Sequence, residues 1–290
     1  MIATTIYSDP ACPWAYSESP ALRVIEWRYG AQLRWRLVLI GLTEGASQYA
    51  ARGYTPLRGA LGQLGFRRYG MPFSPAPKAR LSATARGCRA VAAARLQAPG
   101  SEWAAFRAIQ LANFTTPLVL EDDAELAVVL DRVPGIDGPG LIARLDDPDV
   151  TEAYERDRAE ARTAAGSPAE LQRKTASTDG PVRFTAPSVV FEANGHRLIA
   201  GGFQPVEAYD VLIANLDPTL ERRPPPEDPL ALLEHFRAGL TTQEVAALMT
   251  HGNDAPDRKA AETALLDLVA AGTATREPLG DDALWKHAPV

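Results

Sequence analysis

Three segments at the start of the chain fix how it begins to fold. Ile2-Ala3-Thr4-Thr5-Ile6-Tyr7 is β-branched and aromatic and predicts a strand, which Ser8-Asp9-Pro10 breaks. From Pro13 to about Tyr29, apolar residues at Trp14, Leu22, Ile25, Trp27 and Tyr29 predict a helix, with Gly30 as its C-cap. Leu33 to Leu39 alternates and then runs apolar, which predicts a second strand beside the first. A strand, a crossover helix and a strand form a βαβ unit, so the two strands are expected to be parallel.

The chain then turns helical for a long interval. Alanine-rich stretches near 80–97, 101–113, 120–132 and 148–165 are separated by Pro, Gly and Asp clusters. Strand character returns at Ser188-Val189-Val190-Phe191. A turn at Asn194-Gly195 and a strand at Arg197-Leu198-Ile199-Ala200 complete a hairpin signature. Gly201-Gly202 breaks it, and Pro205 to Ala214 predicts a closing helix. The order βαβ, helical block, ββα predicts an α/β, thioredoxin-like fold. Residues 1–45 and 180–220 would form the thioredoxin-like domain and 46–179 a helical insertion.

Arg222-Arg223-Pro224-Pro225-Pro226-Glu227-Asp228-Pro229 cannot continue a helix and favours an extended spacer, so 221–229 is expected to be a Pro-rich linker. Beyond it, 230–290 resembles a small winged-helix domain. Leu230 to Phe236 predicts a short helix, and Thr241-Thr242-Gln243-Glu244 is a capping-box signature before Val245, Leu248 and Met249. A third helix runs from about Pro256 to Ala271 and ends at Gly272. Short β-like pieces at Thr273–Arg276 and Leu284–Lys286 would form a two-stranded wing.

An apolar share of 46 %, a charged share of 23 % and a mean hydropathy of −0.15 exclude a mainly disordered chain. No stretch approaches the ~18 uninterrupted apolar residues of a membrane span. Met1 to Pro10 shows neither a basic n-region nor an apolar h-region, so the cytoplasm is the expected compartment and no membrane partner is expected. Two cysteines, Cys12 and Cys88, make neither a disulfide framework nor a metal site by themselves. The histidines, His196, His235, His251 and His287, are dispersed, and no metal is expected. Glu121-Asp122-Asp123 and Asp146-Asp147-Pro148-Asp149 read as acidic helix starts.

The net charge of −6 is unevenly spread. From Gly45 to Ser101 nine basic residues stand without an acid, and from Glu121 to Glu170 fourteen acids meet five bases. Either these segments are helices side by side with paired charges, or some arginines hold an anionic substrate or cofactor in a cleft. Arg52, Arg58, Arg67 and Arg68 are the candidates for that anion site. Residues 229–290 carry 5 basic and 9 acidic groups, a balance of −4. DNA binding needs a positive surface, so the charge argues against a nucleic-acid partner. Packing of this tail on the first domain, or a homodimer contact, is expected instead.

Cys12-Pro13-Trp14-Ala15 stands between the first strand and the first helix. A cysteine at a helix N-terminus meets unpaired N–H groups and the positive end of the helix dipole. Both favour thiolate and would lower the pKa from its usual ~8.5. Pro13 in the first turn needs no N–H donor, and Trp14 would shield the sulfur while leaving one side open. The residues alone leave two readings, a nucleophile and a small buried core residue.

Ser8-Asp9-Pro10-Ala11-Cys12-Pro13-Trp14 followed by a helix resembles the active-site turn of DsbA-like thioredoxin-fold oxidoreductases. Within that superfamily the look is closest to the FrnE-type branch, the 2-hydroxychromene-2-carboxylate isomerases and the kappa-class glutathione transferases. Thr185-Ala186-Pro187-Ser188-Val189-Val190-Phe191 is similar to the family's cis-proline loop, and Gly201-Gly202-Phe203-Gln204-Pro205 to its Gly-rich turn after the hairpin. The resemblance spans about residues 1–218 and implies a cis peptide before Pro187. It also implies that Pro187 shapes a loop holding a substrate or thiol backbone, with Ala186 offering its N–H and C=O.

Ala15 departs from the pattern, because redox members carry a second cysteine there to resolve the mixed disulfide. Without it, a small thiol such as glutathione or mycothiol would have to resolve the adduct, or would itself be bound for conjugation, isomerisation or reduction. The function expected is thiol-dependent redox or transfer chemistry on Cys12, with a small-molecule thiol or disulfide as partner. A non-enzymatic sensor of electrophiles or oxidised thiols, and a binding scaffold whose cysteine is a relic, are the alternatives. Cys88, in Ala85-Arg86-Gly87-Cys88-Arg89-Ala90, is expected at a helix–helix contact.

Overall fold

The computed structural model describes residues 1–289. Strands β1 (Ile2–Ser8) and β2 (Leu33–Leu39) pair in parallel, Ile2 opposite Leu33 and Ser8 opposite Leu39. The crossover between them is two helices, α1 (Pro13–Ser17) and α2 (Ser19–Tyr29), where the periodicity predicts one. Pro20 has no N–H to offer the carbonyl of Tyr16 one turn back, so the helix breaks at Glu18 and restarts.

The insertion holds α3 (Ala46–Ala51), α4 (Pro56–Phe66), α5 (Ala85–Gln97), α6 (Ser101–Thr115) and α7 (Asp123–Asp131). It continues with α8 (Gly138–Ala143), α9 (Pro148–Ala161) and α10 (Pro168–Leu171). The alanine-rich stretches fold as α5, α6, α7 and α9. Ala90, Ala92, Ala93 and Ala94 are buried, so α5 is covered on several sides and its small side chains let α6 and α9 pack against it. The opposite charges of the two biased segments meet: Arg86 pairs with Asp123 at 2.6 Å and Asp146 at 2.8 Å, and Arg95 with Asp157 at 3.0 Å.

A short antiparallel pair, β3 (Thr175–Ala176) and β4 (Arg183–Phe184), leads back to the sheet. β5 (Ser188–Ala193) runs antiparallel to β1, and β6 (His196–Gly201) closes the hairpin through Asn194 and Gly195, both at positive φ. The strand order is β2-β1-β5-β6, and α11 (Val206–Leu216) packs back on the hairpin and α2. The main core joins Ile2, Ile6, Leu37 and Leu39 of the strands to Val91, Ile109 and Tyr154 of the insertion.

The tail forms α12 (Pro229–His235), β7 (Leu240–Thr241), α13 (Thr242–Leu248), α14 (Arg258–Ala270), β8 (Ala274–Leu279) and β9 (Asp282–His287). Its sheet has three strands, ordered β7-β9-β8, because Leu240 and Thr241 pair with Trp285 and Leu284. The Thr241–Glu244 capping box forms at the start of α13. Leu232, Val245, Leu265 and Trp285 make one core with Val24 and Trp27 of α2, so the tail is seated on the crossover helix.

The proline segment, 221–228, carries no helix or strand and is tied to α2. Trp27 Nε1 donates to the Pro224 carbonyl at 2.9 Å, Arg223 N donates to the Arg28 carbonyl at 2.8 Å, and the Arg223 guanidinium lies 4.3 Å over the Trp27 ring. The segment is irregular but strapped along α2. Among the described residues no helix is long and apolar enough to cross a membrane, and no group of three or more metal-ligating side chains comes together.

Candidate active site around Cys12

Cys12 is the N-cap of α1, with φ −82° and ψ 117°, and its carbonyl accepts the Tyr16 N–H at 3.0 Å. Pro13 follows at the first helical turn, where a missing N–H does no harm. The Sγ donates to the Ala186 carbonyl at 3.2 Å, across 174 residues of sequence. The Ala186–Pro187 peptide is cis, and Ser188 Oγ fixes the loop by donating to the Thr185 carbonyl at 2.7 Å. The two segments singled out in the sequence, 12–15 and 186–187, therefore meet at the sulfur.

The surroundings of the sulfur are drier than its position suggests. Cys12 is 6 % exposed and sits in a cluster with Tyr7, Val38, Ile40, Phe184 and Val190. Burial pushes its thiol up to about 12; the N–H groups of Ala15 and Trp14 and the Arg183 charge pull the other way, while the Asp9 charge adds to the rise. The expected lowering is thus corrected. α1 has only five residues, and its N–H groups do not outweigh the water lost around the thiol.

Asp9, which the sequence marks only as a strand breaker, organises the ground beneath the thiol. It is fully buried. Its Oδ1 accepts the Ala11 N–H at 2.8 Å, and its Oδ2 accepts Leu42 N–H at 2.9 Å and Thr84 Oγ1 at 2.7 Å. The Cys88 Sγ also faces Oδ2, at 3.6 Å. Burial pushes the Asp9 carboxyl up, against these hydrogen bonds, and pushes the Cys88 thiol well above its usual range, with the Asp9 charge as the next cause. Cys88 is closed in the main core, as its alanine-rich helix predicts. Gly41, before Leu42, has φ +61°, and a Cβ there would fall 2.1 Å from the Tyr154 hydroxyl.

Trp14 is 40 % exposed and stands at the outer side of the turn. Three rings gather on it: Phe66 at 4.8 Å, Phe203 at 5.6 Å and Tyr69 at 5.7 Å between centroids. Phe203 belongs to the Gly-rich turn. Phe66 and Tyr69 come from the end of α4 and the turn after it, a stretch in which no element is expected from the sequence. Ala15, the next residue, is buried.

The four candidate arginines separate into two pairs. Arg52 and Arg58 are exposed and donate to backbone carbonyls, those of Thr178 at 3.4 Å and Gly53 at 3.1 Å. Arg67 and Arg68 border a cleft of about 430 Å³ with Tyr69, Gln243, Arg258 and Asp281. Arg67 pairs there with Asp281 at 2.7 Å, and the Arg68 guanidinium lies 4.8 Å from the Tyr69 ring centroid. Arg183, outside the basic stretch between Gly45 and Ser101, is the arginine whose charge acts on Cys12.

Three solved structures share the fold, each at 18 % identity. A "probable DsbA oxidoreductase" from Streptomyces coelicolor covers 78 % of this chain and 93 % of its own, with a TM-score of 0.56. A candidate protein disulfide isomerase from Nitrosomonas europaea covers 74 % and 96 %, with a TM-score of 0.55. The cytosolic disulfide reductase DsbM from Pseudomonas aeruginosa covers 74 % and 98 %, with a TM-score of 0.51, and is also solved with GSH. No curated protein matches the chain. The family described as the DSBA-like thioredoxin domain matches residues 4–170, more than half of the sequence, and the chain belongs to that family.

Proposed function

We propose that the protein is a single-cysteine thiol–disulfide exchanger in which Cys12 is the nucleophile and a small cytoplasmic thiol does the work of the missing resolving cysteine. The observation that carries this reading is the convergence of Cys12, at a helix start, with the Ala186–Pro187 loop at 3.2 Å. In the first step the Cys12 thiolate attacks a disulfide RS–SR′, forming Cys12–S–S–R and releasing R′S⁻. In the second, a small thiolate attacks that mixed disulfide at the R sulfur, restoring the Cys12 thiolate. The net change consumes one small thiol and gives R′SH and a mixed small disulfide. Trp14 and Ala15 N–H groups sit where they favour the thiolate once water or a polar substrate relieves the burial. Pro187 and Ala186 would present the loop backbone to the incoming chain, and Arg68, over the Tyr69 ring that packs on Trp14, would face a substrate carboxylate. The GSH held by DsbM is the precedent for a glutathione-type thiol.

The test is intact mass after incubation with oxidised glutathione or mycothiol. The expected result is one thiol adduct on the wild type, none on Cys12→Ser, and loss of the adduct when the reduced thiol is added. The burial of the thiol favours a second reading, a binding module of the same fold whose cysteine does not turn over. No adduct, with the fold intact, would leave that reading in place.

A further inference from the structure

A cavity of about 240 Å³ lies between β1, β2, α2 and α6. Ala15 and Ser8 form part of its wall, but Cys12 and Pro187 do not. An engineered cavity of ~150 Å³ takes up benzene, so this one has room for a ring and several more atoms. Its apolar lining includes three aromatic side chains, Trp35, Trp103 and Phe106, with Leu22 and Leu37.

The same wall carries three buried donors without a partner: Trp35 Nε1, Arg107 Nε and Gln110 Nε2. Arg107 is 8 % exposed and Gln110 6 %. Buried donors are rarely left unpaired, because each loses its water without replacement. The charges of the wall are already matched. Arg107 holds Glu244 at 2.8 Å through its terminal nitrogens, and Arg23 holds Glu26 at 2.5 Å. These three donors thus lack an acceptor, and the wall has no spare positive charge for an anion.

The geometry points to a second binding site, for a compact neutral aromatic carbonyl compound. Its ring would lie among Trp35, Trp103 and Phe106, and its carbonyl oxygen would accept from the unpaired donors. The site is separate from the thiol chemistry and would persist in Cys12→Ser.

The probes are acetophenone, ethylbenzene (the same shape without the oxygen) and benzoate (the anion), followed by proton–nitrogen NMR of the full chain. The Trp35 indole N–H resonance is assigned by its disappearance in Trp35→Phe. Acetophenone should move it saturably, and ethylbenzene should bind roughly tenfold or more weakly, since it leaves the donors unpaired. Benzoate should also bind more weakly than acetophenone, and Leu22→Trp, which fills the cavity, should abolish the shift. Equal binding of ethylbenzene would reduce the site to a dry apolar void, and tighter binding of benzoate would make it an anion site. No saturable shift with any probe, or a shift unchanged in Leu22→Trp, would also overturn the proposal.

Discussion

At Cys12 two effects of opposite sign compete, and their sizes decide what the thiol can do. The helix start favours thiolate; burial favours thiol and prevails, with the Asp9 charge on the same side. Alkylation of Cys12, followed by mass in a Cys88→Ala background, should therefore show a midpoint above the free-thiol value of ~8.5. Asp9→Asn keeps the shape and removes the charge, so it should lower that midpoint and speed labelling at pH 8 by roughly threefold or more. A midpoint below the free value would overturn the burial argument, and an unmoved midpoint in Asp9→Asn would remove Asp9 from it. The sequence made Cys12 and Pro187 visible because their signatures are local. Asp9 and Arg183 stayed hidden because their importance comes from contacts with Leu42, Thr84, Cys88 and Asp179, all set by the fold.

At the scale of elements, the break between α1 and α2 carries the next consequence. Glu18 at that break is fully buried, accepts the Tyr209 hydroxyl at 2.7 Å and the Gln204 N–H at 3.3 Å, and is pushed by burial up to about 8. A carboxyl that holds its proton more tightly folded than unfolded stabilises most below its unfolded value, near 4.5. That contribution is lost as the pH climbs through about 8. Thermal unfolding should show wild type falling between pH 5 and pH 8.5, and Glu18→Gln, which cannot ionise, falling less and standing above wild type at pH 8.5. Equal slopes for the two proteins would show that Glu18 is not the titrating group. The break itself was legible in Pro20 yet overridden by the apolar period across Trp14 to Tyr29. α4 was missed because Gly59, Gly62 and Gly65 lower helix propensity, and tertiary packing beside α1 supplies what propensity lacks. α8 hides in Asp137-Gly138-Pro139-Gly140, which reads as a turn but caps a helix through Asp137.

For the whole molecule, the βαβ and ββα order was legible because it is written in local periodicity, whereas the joints between its parts were not. The capping-box glutamate of the tail, Glu244, is the clearest case. It accepts Ser19 Oγ of α2 at 2.5 Å and both terminal nitrogens of Arg107 of α6 at 2.8 Å, while its own cap N–H, Thr241, lies at 2.8 Å. One fully buried carboxylate thus ties the crossover helix, the insertion and the tail together. Burial alone would raise its pKa, but the Arg107 charge and hydrogen bonds hold it at about 2. Its contribution is present above the unfolded value near 4.5 and is lost as the pH falls through about 2. Removing either partner leaves the other charge buried alone, which costs about 3–5 kcal/mol, whereas removing both does not. Arg107→Met and Glu244→Leu should each lower stability by that amount in urea unfolding and open the 221–229 segment to proteolysis. The double variant should recover much of the loss. Strict additivity of the two losses would mean that the pair does not act as a joint, and that the shared core of Val24 and Trp27 with the tail holds the parts together by itself.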